Sequence, residues 1–100
     1  MLNSKQRAFL RSLANTIPAT QQIGKDGVTA SVCEQAEQEL KAKELIKIKV
    51  LENSLLTARE ACGLLCDAIG AEPVQCIGSK LVVYKPNPEK PVIVLPREKK

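Results

Sequence analysis

The sequence has no histidine and no tryptophan, and Phe9 and Tyr84 are its only aromatic residues. Without histidine there is no Ser-His-Asp or Cys-His nucleophile system and no His-ligated metal site. Two aromatic rings are too few for a platform that stacks successive unpaired bases. Long apolar runs are also missing: none approaches the roughly 20 residues that span a bilayer. The stretch Met1 to Arg7 lacks the apolar core of a secretory signal. The four cysteines, Cys33, Cys62, Cys66 and Cys76, show no C-x-x-C spacing. With no secretion signal they read as reduced thiols of a cytoplasmic protein. Residues 1–25 carry four basic side chains and no acid, a bias shared with transit peptides.

What is present suffices for one small domain. The chain has 100 residues, 44% of them hydrophobic, and about 100 to 150 residues is the commonest domain size. Asn3 followed by Gln6 reads as a capping box and predicts a helix over about 4–16, ended by Pro18. Leu10, Leu13, Ala14 and Ile17 share one face of it, while Arg7 and Arg11 share another. Thr20 to Ile23 is a short extended run. Val28, Val32, Ala36 and Leu40 then form a stripe on a second helix over about 29–42, with Glu34, Glu37 and Glu39 on its wet side. From Glu44 to Leu51 the pattern alternates: Ile46, Ile48 and Val50 point one way, Lys47 and Lys49 the other, as in a strand with one buried face.

Thr57 with Glu60 is a second capping box and opens a third helix, whose apolar face is Ala61, Leu64, Leu65, Ala68 and Ile69. Gly70 is its natural stop. Gly63 inside it leaves room for a close neighbour. Val74 to Ile77, Gly78-Ser79 and Lys80 to Lys85 predict a hairpin with glycine first, as a type II′ turn requires. That register sets Cys76 opposite Leu81 and Val74 opposite Val83. Val92 to Leu95 suits a last edge strand or a packed tail, and residues 97–100 a mobile basic end. The order α-β-α-β-α-β-β calls for an α/β domain of α+β-like, two-layer character. It should have a mixed sheet of about four strands with helices packed on it.

Charge is segregated. Residues 1–25 sum to +4, residues 26–46 to −3 and residues 80–100 to +4, within a net charge of +4. Such a field suits a polyanion, and it also suits an ordinary solvated surface. The turn Gly24-Lys25-Asp26-Gly27 stands between an extended run and a helix start. Unpaired N–H groups and the helix dipole favour a phosphate there. Two glycines leave the backbone open, and Lys25 adds a cation. Taken alone, a G-x-x-G turn is better explained by glycines at positive-φ positions. G-x-x-G is the clamp of the KH domain, but that loop joins two helices, and here the preceding residues are extended. No Gly-Lys-Ser/Thr follows, so it is not a Walker A loop.

Several segments together carry a resemblance. They are Leu2 to Ala14, Gln22 to Thr29, Glu44 to Val50, Gln75 to Tyr84, and Leu95-Pro96-Arg97. In this order they resemble the CRM family, the chloroplast RNA splicing and ribosome maturation domain, in its bacterial stand-alone YhbY form. The resemblance implies a fold like the C-terminal domain of translation initiation factor three, with RNA held by the G-x-x-G loop. It also implies association with precursors of the large ribosomal subunit. It begins at residue 2, which leaves no room for a presequence. The cysteines and Gly63 are not hallmarks of that family.

The expectation is a single domain over 1–96 with a tail over 97–100. It is a non-enzymatic, cytoplasmic, monomeric RNA-binding protein with no cofactor, metal, membrane or small-molecule substrate. Its partner is ribosomal RNA in pre-large-subunit particles. The candidate RNA-contacting residues are Gly24, Lys25, Asp26 and Gly27, supported by Lys5, Arg7, Arg11, Lys47 and Lys49. The alternative is a protein-interaction module on ribosomal particles. Cys62 and Cys66 are expected to pack as small hydrophobes. Tyr84 is expected to be a packed tyrosine with a wet hydroxyl.

Overall fold

Every helix begins at a capping side chain, Asn3, Thr29 and Thr57 in turn. The computed structural model describes residues 3–87 together with Glu89 and Ile93. Along the chain it forms α1 (Ser4–Ala14), β1 (Gln21–Ile23), α2 (Ala30–Lys43), β2 (Leu45–Val50), α3 (Ala58–Ile69), β3 (Glu72–Ile77) and β4 (Lys80–Tyr84). At α1, the Gln6 N–H donates to Asn3 Oδ1 at 2.8 Å and the Asn3 N–H to Gln6 Oε1 at 3.2 Å. At α3, Thr57 and Glu60 exchange the same pair of bonds at 3.0 and 3.1 Å. Each box satisfies two backbone donors that the helix cannot.

The four strands make one sheet in the order β1-β2-β4-β3, with β1 parallel to β2 and the other pairs antiparallel. Successive side chains on a strand face opposite ways, and both faces of this sheet are used. Ile23, Ile46, Ile48, Val50, Leu81 and Val83 bury against α2 and α3. Leu45, Val74, Val82 and Tyr84 bury against Leu10 and Ala14 of α1 on the other face. The sheet with α2 and α3 is the main two-layer body, and α1 covers part of the second face. Leu45 is therefore buried too, although the strand pattern suggests a single buried face. Tyr84 is only 4% exposed, packed as expected but with little of its ring left in water.

Three expectations about packing change. Val74 does not oppose Val83. The register steps between Pro73 and Gln75, so Pro73 pairs with Val83 and Val74 is the extra residue of a bulge. The bulge turns Val74 to the α1 side, where it joins Val82 and Tyr84. The buried face of α3 is Ala58, Ala61, Cys62, Leu65, Cys66 and Ile69. Leu64 is half exposed instead. The two cysteines take the inward positions because small side chains let the helix lie close to the sheet. Gly63 faces open space, with nothing within 4 Å of where a Cβ would sit, so it accommodates no neighbour. The predicted Cys76–Leu81 pair and the positive φ at Gly78 (57°) are as the hairpin requires.

Glu44 joins α2 to β2 and is 1% exposed. It has φ 65° in the left-handed region, which costs a non-glycine residue roughly 1 kcal/mol or more. Its carboxylate accepts from the Asn87 N–H at 2.5 Å and from the Ile93 N–H at 2.6 Å. Its carbonyl accepts from the Lys85 N–H at 2.9 Å. The Asn87 amide donates to the Lys41 carbonyl, and Lys85 Nζ donates to the Ile69 carbonyl at 2.7 Å. One buried carboxylate thus ties the segment after β4 to the end of α2. Ile93 packs on the α1 cluster. The rest of the expected Val92 to Leu95 element, and the tail over 97–100, lie outside the described residues.

Two outcomes follow. Gly63→Ala should stabilise the domain by about 1 kcal/mol, because the site is exposed, helical and uncrowded; a raised denaturation midpoint with unchanged slope checks it. Glu44→Gln should destabilise by about 2 kcal/mol, because an amide offers a donor where backbone N–H groups need acceptors; equilibrium urea unfolding measures it.

Candidate nucleic-acid interface

Ile23 pairs with Val50 at the ends of two parallel strands, so the turns that follow them share one rim of the sheet. The first is Gly24 to Gly27, closed by a hydrogen bond from the Gly27 N–H to the Gly24 carbonyl at 3.0 Å. The second runs from Leu51 to Thr57 and lies against the first. A Cβ on Gly27 would stand 3.2 Å from Leu56 Cδ1, and Gly27 has φ 71°. Folding alone therefore demands glycine at 27. Gly24 differs: its φ is ordinary, and a Cβ there would meet Asn53 Oδ1 and Leu51 Cδ1 at 3.8 Å, an ordinary contact. Neither strain nor crowding asks for glycine at 24, so the fold does not explain the residue there. Lys25 and Asp26 are exposed at the tip.

Two helices start near this rim, and they differ. At α3 the capping box is complete and Glu60 puts a negative charge in the first turn. At α2 Thr29 Oγ1 accepts only the Val32 N–H, at 3.2 Å, and no acid stands in the first turn. The N–H groups of Ala30 and Ser31 have no partner among the described residues. The start of α2 therefore keeps the partial positive charge that an anion can use.

The second face of the sheet supplies the cations. Helix α1 shields only the part holding Leu45, Val82, Tyr84 and Val74. Beyond it Lys47 is half buried and Lys49 exposed. The antiparallel register sets Lys49 directly opposite Lys80, a like-charge pair that disfavours the sheet by itself. Among the described residues the one ion pair is Lys43 with Glu39, at 3.3 Å, so these three lysines are uncompensated. Sequence reasoning named Lys47 and Lys49 as candidates and did not include Lys80. Its place beside Lys49 depends on β2 pairing with β4, which no local pattern announces.

Lys5 and Arg11 are exposed on α1, and Arg7 is half buried with its Nε enclosed and unpartnered among the described residues. These three lie on the opposite sheet face from α2 and its turn. Arg11 precedes Asn15 by one helical turn on the same helix side, and Asn15 adjoins Lys47 and Lys80. The α1 cations thus extend the lysine surface rather than surround the turn.

A groove of about 320 Å³, mainly apolar, lies between α1, the end of α2 and the start of β2, away from the rim. Cys62 and Cys66 are buried in the core with Cys76 packed beside them, as expected. A hydrogen bond with Cys66 and burial push the Cys62 thiol well up, and burial with the neighbouring Cys62 pushes Cys76 up to about 11. Both stay protonated and unreactive near neutral pH. Among the described residues no group of three or more His, Cys, Asp or Glu side chains is placed to hold a metal. No helix among them is long and apolar enough to cross a membrane.

Known proteins match this chain over nearly its whole length. The model of the CRS1 / YhbY (CRM) domain matches residues 2–85. The chain is 38% identical over 96 residues to the Probable RNA-binding protein YqeI of Bacillus subtilis, covering 96% of this chain and all of that one. It is 35% identical over 97 residues to an RNA-binding protein of Haemophilus influenzae, covering 97% of each. The solution structure of the hypothetical protein SAV1595 from Staphylococcus aureus superposes with a TM-score of 0.76 at 41% identity. That match covers 96% of this chain and all of the other.

The two glycines should separate by experiment. Gly27→Ala should cost about 1 to 2 kcal/mol of stability through strain and the Leu56 contact. Gly24→Ala should stay within about 0.5 kcal/mol of wild type. Thermal or urea unfolding of both variants decides it.

Proposed function

The chain belongs to the CRS1 / YhbY (CRM) domain family, a family of non-catalytic RNA-binding proteins, and from that premise we propose how it holds its RNA. A phosphate docks at the Gly24 to Gly27 turn and the open start of α2, with Lys25 beside it. Lys47, Lys49 and Lys80, continued by Arg11 and Lys5 of α1, attract the neighbouring backbone. The RNA is ribosomal, carried in precursors of the large subunit, and the protein acts in the cytoplasm during their assembly. The observation that carries the docking site is Gly24, a glycine that the fold does not require at a rim where α2 leaves its N–H groups free.

Phosphate contacts position a nucleic acid without reading sequence. Binding should therefore favour structured RNA, recognised by shape and backbone. A second reading has one observation of its own. Leu55 is 90% exposed in the turn beside Gly24 to Gly27, and Ile77 is 64% exposed near the hairpin. Such side chains suit contact with a protein on the same particle. Naked ribosomal RNA discriminates: the first reading requires binding to it, the second requires protein-containing particles.

With four to six phosphates neutralised, the log–log dependence of affinity on salt should have a slope of very roughly −3 to −5. Lys25→Glu should weaken binding by about tenfold at low salt without changing the melting temperature, because one attraction becomes a repulsion at an exposed site. Filter binding to ribosomal RNA over a salt series tests both, and wild-type affinity in the variant would refute docking at the turn.

A further inference from the structure

A hollow of about 180 Å³ lies on the uncovered part of the second sheet face, lined by Asn15, Lys47, Gln75, Ile77, Lys80 and Val82. We propose that it takes one unpaired nucleobase of the bound RNA, a base-reading site separate from the phosphate turn. The inference rests on the RNA-binding reading above and adds a contact that discriminates bases to one that does not.

The walls have the right chemistry. Val82 is 3% exposed and forms an apolar floor, and Ile77, 64% exposed, stands as an apolar wall. Asn15 and Gln75 each carry an amide that both donates and accepts, as the edge of a base does. Lys47 and Lys80 are cations at the rim for the flanking phosphates. None of these four polar side chains has a hydrogen bond or ion pair with another described residue. They come from α1's end, β2, β3 and β4, so the fold gathers them from four separate places. The hollow is smaller than the roughly 300 Å³ and above of sites that enclose a whole drug-sized ligand, which limits it to a single ring system. A carboxylate group would satisfy the lysines but leave the Asn15 and Gln75 amide carbonyls without a donor, because carboxylates only accept. A base uses both.

This makes sense of the missing aromatics. A protein with one buried tyrosine and one phenylalanine on α1 cannot stack a run of bases. It can still seat one base against aliphatic side chains and hold its edge with amides.

The test uses the full chain with two RNAs of equal phosphate number, a short oligouridylate and a blunt-ended, fully paired duplex. Asn15→Ala/Gln75→Ala should lower affinity for the oligouridylate about tenfold, the loss of two modest hydrogen bonds. It should leave the duplex within about twofold. Equal losses on both RNAs, or no loss on the oligouridylate, overturn the proposal. So does a polyglutamate peptide whose own affinity falls in the double variant as far as the oligouridylate's. If the double variant melts lower than wild type, photocrosslinking of a thiouridine-substituted oligouridylate to the wild-type chain decides. Crosslinks at Asn15 or at Gln75 to Ile77 support the hollow, and crosslinks confined to residues 24–27 refute it. Failure of the wider reading looks different: wild-type protein then binds neither RNA, whereas failure of the hollow alone leaves both bound and sensitive to Lys25→Glu.

Discussion

Strand β2 carries the burden of the fold, because both its neighbours and both its faces are spoken for. Its backbone pairs with β1 on one side and β4 on the other. Ile46, Ile48 and Val50 enter the core under α2 and α3, while Leu45 enters the smaller core under α1. A slip of one residue would drive Lys47 and Lys49 into the larger core, where unpaired charges cost several kcal/mol each. Register is therefore strongly determined, and with it the placement of everything that could touch a ligand. The parallel pair brings the two turns to one rim, and the antiparallel pair sets Lys80 beside Lys49.

The short α1 explains why the second sheet face is left partly open. A helix covering the whole second face would bury Lys47 and Gln75 and demand apolar residues there. Because α1 packs over Leu45, Val82, Tyr84 and Val74 only, the remaining face stays wet and carries lysines and amides. The bulge at Val74 belongs to the same arrangement: it supplies an extra apolar side chain to the α1 contact and restores polar Gln75 to the open part. Glu44 secures the far end. It takes a left-handed backbone to reverse the chain from α2 into β2, and its buried carboxylate is occupied by backbone N–H groups of the returning segment.

Much of this was legible from local pattern. The capping boxes at Asn3 and Thr57, the glycine-first hairpin, the alternating β2 and the order of elements all follow from short-range spacing, and each stands in the structure where it was expected. The resemblance to the CRM family, carried by five segments in order, agrees with the family that the comparisons identify. What local pattern misjudged was side-chain direction where it depends on a partner. Leu64 and Cys62 exchange places because the facing strands set the rotation of α3. Arg7 is half buried because it lies at the margin of the face that meets the sheet. The clamp at Glu44 was not legible, since nothing near it in sequence announces the segment more than forty residues later that it holds.

The sequence by itself determined the elements, the turn chemistry, the exclusion of histidine-based catalysis and the basic character of the two ends, because these depend on composition and on neighbours a few residues apart. Only the tertiary structure decided which glycine is free for a ligand and which cations stand together. Gly24 and Gly27 look alike in sequence, and Leu56, brought from a distant turn, tells them apart. Lys47, Lys49 and Lys80 form one surface because strands far apart in sequence are hydrogen-bonded in register, and long-range pairing is the one quantity that short-range spacing does not contain.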